Sequence, residues 1–172
     1  EMKIAETFID NEQNWGEALV KSLRHSYSRA PHFTQHMDFF EKTFAARWER
    51  LMDLNAHIVD YACAALKIKT KFVTASSLGV DGKGEDLLID LCKAAGADVY
   101  ISGPLGRNYI KPETWEKAGI ALRYHEYANQ PYQQLYADFL PYMCFADLLF
   151  NCGPEAAAKM NEGQQSREEV LA

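Results

Sequence analysis

Apolar residues recur with a helical period up to about Lys69, and the period then changes. Trp15, Leu19, Leu23 and Tyr27 fall every fourth position and predict the buried face of a first helix. Asn14 opens that helix, with Glu17 three residues on in a capping-box arrangement, and Pro31 closes the segment. Phe33, Met37, Phe40 and Phe44 predict a second amphipathic helix. Leu51, Leu54, Ile58, Tyr61 and Ala65 predict a third, over about 47–66.

From Lys69 to Tyr127 the pattern reads strand, Gly-rich loop, helix, strand, Gly-rich loop, helix, strand. Lys71 to Ala75 form the first expected strand. Residues 76–84, Ser-Ser-Leu-Gly-Val-Asp-Gly-Lys-Gly, form the first loop. Leu87, Leu88, Leu91 and Cys92 set the next helix, with Gly96 placed as its C-terminal glycine. Asp98 to Ser102 is a second strand, and Gly103 to Tyr109 the second loop. Pro112 opens a brief helix that ends at Gly119. Ile120 to Tyr127 alternates as a third strand. Short helices between such strands imply parallel crossovers. Beyond Pro131, the aromatic positions Tyr136, Phe139, Phe145 and Phe150 read as further helices, interrupted at Pro141 and stopped by Gly153-Pro154.

The expected fold is α/β: a small, mainly parallel sheet with flanking helices in Rossmann-like layering, a helical N-terminal lobe and an aromatic helical C-terminal region. Residues 1–154 read as one domain, divided into a helical lobe (1–68), a strand–loop–helix core (69–127) and C-terminal helices (128–154). Residues 155–172 read as a polar tail, a loose helix or disordered.

Composition narrows the class. The chain has 172 residues, 48% hydrophobic and 24% charged, as an ordinary globular protein does. No apolar run approaches the ~20 residues of a membrane span, so no membrane insertion is expected. No signal peptide is visible in a chain that opens at Glu1 with Met2 second. The net charge of −6, without a basic cluster, argues against nucleic acid as a partner. Cys63, Cys92, Cys144 and Cys152 form no C-x-x-C pair, which points to a reducing cytoplasm, no disulfides and no structural zinc.

Both Gly-rich loops follow the carboxyl ends of expected strands, where an open α/β sheet binds its ligands. Gly82 and Lys83, just before a helix N-terminus, suit an anion, although the G-x-x-x-x-G-K-[ST] pattern is not met. The competing reading is a flexible turn with a solvated lysine. In the second loop Gly103 and Gly106 allow close backbone approach, and Ser102, Arg107, Asn108 and Tyr109 offer polar groups. Arg107 suits a two-pronged grip on phosphate or carboxylate; the alternative is an exposed arginine in a tight turn. His125, near the end of the third strand, suits general acid–base work, or is a half-buried strand histidine. Asp147 lies inside an apolar run and needs a partner, as a brace for a neighbouring loop or as a substrate contact. His32 and His36 stand one helical turn apart without an acidic third ligand, so no metal site is expected. Ser76 and Ser77 lack the companions of a hydrolase triad.

At these residues the chain resembles the WbqC-like family. The matching blocks are Thr74 to Val80 running into Gly82-Lys83-Gly84, then Leu87-Leu88, Cys92 and Gly96-Ala97-Asp98. They continue through Tyr100 to Pro104, Gly106 to Tyr109, Pro131-Tyr132, Phe139-Leu140-Pro141 and Asp147 to Pro154. The Trp15 helix and the stretch from Tyr27 to Pro31 also resemble it. Family members usually begin with a further N-terminal segment, holding a first strand and a His-Gln-Pro-like motif. The resemblance implies that this chain starts after that segment and lacks any catalytic group it carries. Where the family often has a histidine before Pro131, this chain has Gln130.

The resemblance implies a bacterial cytoplasmic protein encoded with enzymes of O-antigen and other surface-polysaccharide biosynthesis. It implies a transferase, of glycyl or aminoacyl type, acting on an amino sugar or nucleotide-sugar. Its substrate-binding residues would be Ser76, Gly82, Lys83, Ser102, Gly103, Gly106, Arg107, Asn108 and Tyr109. His125 or Asp147 would assist proton transfer. The expected partners are that small-molecule substrate and other glycan-biosynthesis enzymes; no particular cofactor is implied. The alternative is a non-catalytic member that binds a ligand or a partner. A nucleotide-binding enzyme outside glycan metabolism would need a base-specific pocket, which the sequence does not display.

Overall fold

The computed structural model describes residues 4–136 and 138–171. Its helices and strands run in the order α1 (Trp15–Tyr27), α2 (Phe33–Ala45), α3 (Leu51–Ala65), α4 (Gly84–Ala94), β1 (Val99–Ser102), α5 (Pro112–Ala118), β2 (Ala121–Tyr124), α6 (Phe145–Cys152), α7 (Ala156–Glu162) and α8 (Arg167–Leu171). The class is α/β, with a two-stranded parallel sheet and flanking helices. No helix among the described residues is long and apolar enough to cross a membrane. The chain divides into two compact units, Glu1–Lys69 with Asn129–Glu162 and Thr70–Ala128 with Gly163–Ala172.

The first unit is helical. Phe33, Met37 and Phe40 of α2 are buried with Ala30 and with Ala146 and Phe150 of α6. Val20, Leu23 and Tyr27 of α1 pack against them. The face of α1 is therefore rotated from the expected one: Leu19 is exposed, and Gly16 is buried instead. Gly16 lies so close to the Phe44 carbonyl that a Cβ would collide with it, so its lack of a side chain lets α1 approach α2. The capping box does not form. Asn14 makes no side-chain bond to the helix backbone; it donates to the Glu17 carboxylate, which also pairs with Lys21 at 2.7 Å. A second cluster gathers Leu66, Leu149 and Ala156.

Residues 128–136 and 138–144, expected to be partly helical, are irregular. Side chains satisfy their backbone instead. Gln134 accepts from the Leu140 N–H at 2.8 Å and donates to the Leu140 carbonyl at 3.1 Å. Asn129 accepts from Tyr142 N–H at 2.9 Å, where Tyr142 takes a left-handed φ of 59°. Pro131 and Pro141 remove two helical donors from this short stretch.

The second unit is built on β1, α5 and β2. Val99 pairs with Ala121 and Ser102 with Tyr124 in parallel register. A parallel pair needs a crossover, and α5 supplies it. Trp115 of α5 is wholly buried among Ile89, Ile110 and Ile120, its ring stacked 4.3 Å from that of Tyr100. Gly96 and Gly119 take left-handed φ values of 68° and 73° at the ends of α4 and α5, as their sequence positions predict. The expected strand at Lys71–Ala75 does not form. Phe72 and Val73 are exposed, and Ala75–Leu78 is a turn of 3₁₀ helix. Residues 155–171 are ordered as helix over most of their length, with Ala156, Ala157 and Val170 buried.

Candidate functional site

The carboxyl ends of β1 and β2 lie side by side, because the parallel register places Ser102 beside Tyr124. The ladder continues one residue further: the His125 N–H donates to the Ser102 carbonyl at 2.9 Å. From this end the chain leaves β1 through Gly103 into a 3₁₀ turn, Pro104–Asn108. Gly106 is buried in that turn, and a Cβ on it would run into the Ser102 hydroxyl. Ser102 is buried and donates to the Gly103 carbonyl at 3.2 Å. Burial pushes the pKa of the neighbouring Tyr100 phenol up, and Ser102 acts in the other direction.

Arg107 projects from this turn, more than half exposed. Its guanidinium carbon lies 4.1 Å from the centre of the Tyr124 ring, and Nη2 donates to Glu126 Oε1 at 3.2 Å. The platform therefore combines a ring, a carboxylate and a guanidinium from two strand ends. Asn108 and Tyr109 are exposed beside it in sequence. Alternation along β2 turns His125 to the face opposite Tyr124 and Glu126. His125 is half-buried there.

The first loop sits at the start of α4. Ser76 is exposed in the 3₁₀ turn, Gly82 is exposed, and Lys83 is the N-cap residue of α4 with an extended backbone. Glu85, in the first turn of α4, ties this region to α5: one carboxylate oxygen accepts from Trp115 Nε1 at 2.7 Å and from the Lys111 N–H at 2.9 Å. A protein carboxylate thus already fills the N-terminus of α5, which is where a helix attracts anions.

Asp147 lies in the first unit, apart from these loops in the division of the chain. It is buried in the first turn of α6. Its Oδ1 accepts from the Tyr132 phenol at 2.5 Å and from Gln134 Nε2 at 3.0 Å. Burial first, and the carboxylate second, push the Tyr27 and Tyr132 phenols well above the ordinary tyrosine range. Asp147 therefore braces Tyr132 and Gln134, which precede α6, against that helix, the loop-bracing role weighed for it in the sequence. Nearby on α2, His36 Nδ1 lies 2.7 Å from the Tyr61 hydroxyl; burial, then His32, lower its pKa. Among the described residues no three His, Cys, Asp or Glu side chains gather as a metal site.

The sequence pattern of the WbqC-like protein family matches residues 1–159. The chain belongs to that family. It is also similar to the uncharacterized protein Rv1507c of Mycobacterium tuberculosis, 33% identical over 157 residues, which is 90% of this chain and 67% of the relative. No solved structure matches the chain. The family match contains the strand-end platform, Asp147 and its partners, and stops before α8.

Sequence reading singled out Ser102, Gly103, Gly106 and Arg107, and the fold gathers all four at one strand end. It missed Tyr124, Glu126 and Glu85. Tyr124 and Glu126 share a strand face by alternation, which the sequence does show. Their position beside Arg107 follows from strand pairing, which it does not. Nothing local marks Glu85, whose partners are 26 and 30 residues away.

Proposed function

We propose that this chain is a transferase acting on an amino sugar or nucleotide-sugar, of glycyl or aminoacyl type, in bacterial surface-polysaccharide or related biosynthesis. The observation that carries the reading is the Arg107 guanidinium above Tyr124 at the ends of two parallel strands. A guanidinium has five donors, and Glu126 engages one nitrogen. Phosphate and carboxylate are the groups that such a fork recognises best. Glu126 leaves the other donors of the guanidinium to an entering anion, and where it competes, an exposed pair of this kind contributes at most ~1 kcal/mol. Gly103 keeps side-chain bulk away from the approach, Gly106 lets the turn close on Ser102, and Lys83 adds positive charge on the other loop. In the transfer, the amine nitrogen attacks the carbonyl carbon of the activated donor and forms the amide bond. The donor's leaving group departs with its electron pair, and the amine proton passes to a base, a role given to His125. The reading places the protein in the cytoplasm, among enzymes of glycan biosynthesis.

A second reading, a family member that binds ligand or partner without turnover, is favoured by one observation. His125, the acid–base candidate of the same unit, is turned by alternation to the face opposite Arg107, and the Asp147 carboxylate is already engaged by Tyr132 and Gln134. Incubation with nucleotide-linked amino sugars and activated glycine, followed by mass spectrometry, separates the two. Acylated sugar that disappears with Arg107→Ala and His125→Gln supports the transferase. Saturable binding without product supports the second reading. Absence of any binding contradicts both.

A further inference from the structure

The first unit carries a groove of about 480 Å³ between α2 and α3. Its size is that of a small-molecule site. Four rings line it: Phe39 from α2, Trp48 from the connection, and His57 and Tyr61 from α3. Tyr61, Phe39 and His57 stack, and Trp48 lies tilted at 40° against His57. Trp48 lies 5.1 Å from His57, His57 lies 5.1 Å from Phe39, and Phe39 lies 3.5 Å from Tyr61 with the two planes 4° apart. The α2 rings of the core, Phe33 and Phe40, are covered, whereas Phe39, Trp48 and Tyr61 are only half-buried and His57 is exposed. Helix packing alone therefore leaves part of this aromatic surface to solvent.

The polar groups of the groove are as specific as the rings. Gln35, Asp38 and Lys42 repeat along one face of α2 at helical spacing. Lys42 is paired with Asp38 at 2.7 Å, so the rim carries no uncompensated positive charge. That argues against a phosphate as the group recognised here. Thr43, 2% exposed, is held by His57 Nε2 at 3.1 Å, and its carbonyl accepts from Trp48 Nε1 at 2.7 Å. Two of the four rings are thus fixed by hydrogen bonds as well as by ring contacts, a preformed surface rather than an adaptable one.

We infer that this groove is a binding site for a flat, uncharged heteroaromatic ring of nucleobase type. Rings of this kind stack on aromatic side chains whatever their identity, and their edges need paired donors and acceptors. The carboxamide of Gln35 offers both, and the Asp38 carboxylate accepts. The inference does not rest on the Arg107 platform and stands whether or not that platform binds an anion.

The test is titration of the full chain with adenosine, guanosine, cytidine and uridine, read by calorimetry, with N-acetylglucosamine as a non-aromatic comparison. One or more nucleosides are expected to saturate. Trp48→Leu is expected to weaken binding about ten-fold or more, the effect of losing one stacking partner. Because Trp48→Leu also removes a bond to Thr43, the exposed-site variant Asp38→Ala is read beside it, and a several-fold loss is expected there with thermal unfolding unchanged. No saturation by any nucleoside, saturation by N-acetylglucosamine alone, or nucleoside affinity unchanged in both groove variants overturns the inference.

Discussion

Glu85 accepts a hydrogen bond from the indole of Trp115 at 2.7 Å, joining α4 to the centre of the second unit. The indole is wholly buried, and Glu85 supplies the acceptor for its N–H. Glu85→Ala leaves that N–H unpaired and releases the Lys111 N–H as well. The expected cost is about 1–3 kcal/mol, the penalty of an unsatisfied buried donor. Glu85→Gln keeps an acceptor oxygen and is expected to lose less. Urea denaturation followed by tryptophan fluorescence checks the order: wild type, then Gln, then Ala.

The cluster around Asp147 sets an alkaline limit. Tyr27 and Tyr132 are held protonated, by burial first and by Asp147 second. Their folded pKa values are raised, so their contribution is fully present below the unfolded value of about 10 and is lost as pH rises above it. Stability is expected to fall steadily above about pH 10. Tyr132→Phe should lower stability at neutral pH, because Asp147 loses a donor, and should flatten that alkaline fall. Unfolding midpoints of both proteins across the alkaline range check it. An unchanged slope in Tyr132→Phe would contradict the assignment.

The two glycines of the second loop are predicted to behave differently. A Cβ at Gly106 meets Ser102 Oγ at overlapping distance and Ile110 Cδ1 at 3.0 Å, whereas a Cβ at Gly103 meets nothing within 4 Å. Gly103 also has φ −70°, which any residue adopts. Gly106→Ala is expected to destabilise by about 1–3 kcal/mol, as overpacking does, and to displace Arg107. Gly103→Ala is expected to leave stability nearly unchanged. Thermal unfolding of the two variants side by side is the check.

Much of the architecture was readable from periodicity. Phe33, Met37 and Phe40 declare the buried face of α2, and Pro112 with Gly119 bound α5, because these signals are local. The misreadings share a physical origin. Lys71–Ala75 has the apolar content of a strand, but a strand needs a partner to take its backbone groups, and Phe72 and Val73 are left exposed. Residues 128–144 have apolar spacing that suits helix, yet side chains from Gln134 and Asn129 satisfy the backbone in another way. In the candidate site, Arg107 was legible from its loop. The ring and the carboxylate beside it were not, since the parallel pairing of β1 with β2 brings them there. The aromatic groove was hidden for the same reason: its rings come from positions 39, 48, 57 and 61 on three different elements.

The central claim is that Arg107 anchors an anionic ligand. Its ion pair with Glu126 is exposed, so Arg107→Ala is expected to change stability by no more than ~1 kcal/mol. The direct measurement is ligand-induced thermal shift with an amino-sugar 1-phosphate, which carries the anion without a nucleobase, on wild type and on Arg107→Ala. At about a hundred times Kd, binding adds roughly 2.7 kcal/mol, which is several degrees for a chain of this size. The account predicts that shift in the wild type and little or none in Arg107→Ala, with both proteins folded alike before ligand is added. An equal shift in the two proteins, or none in the wild type, would contradict it.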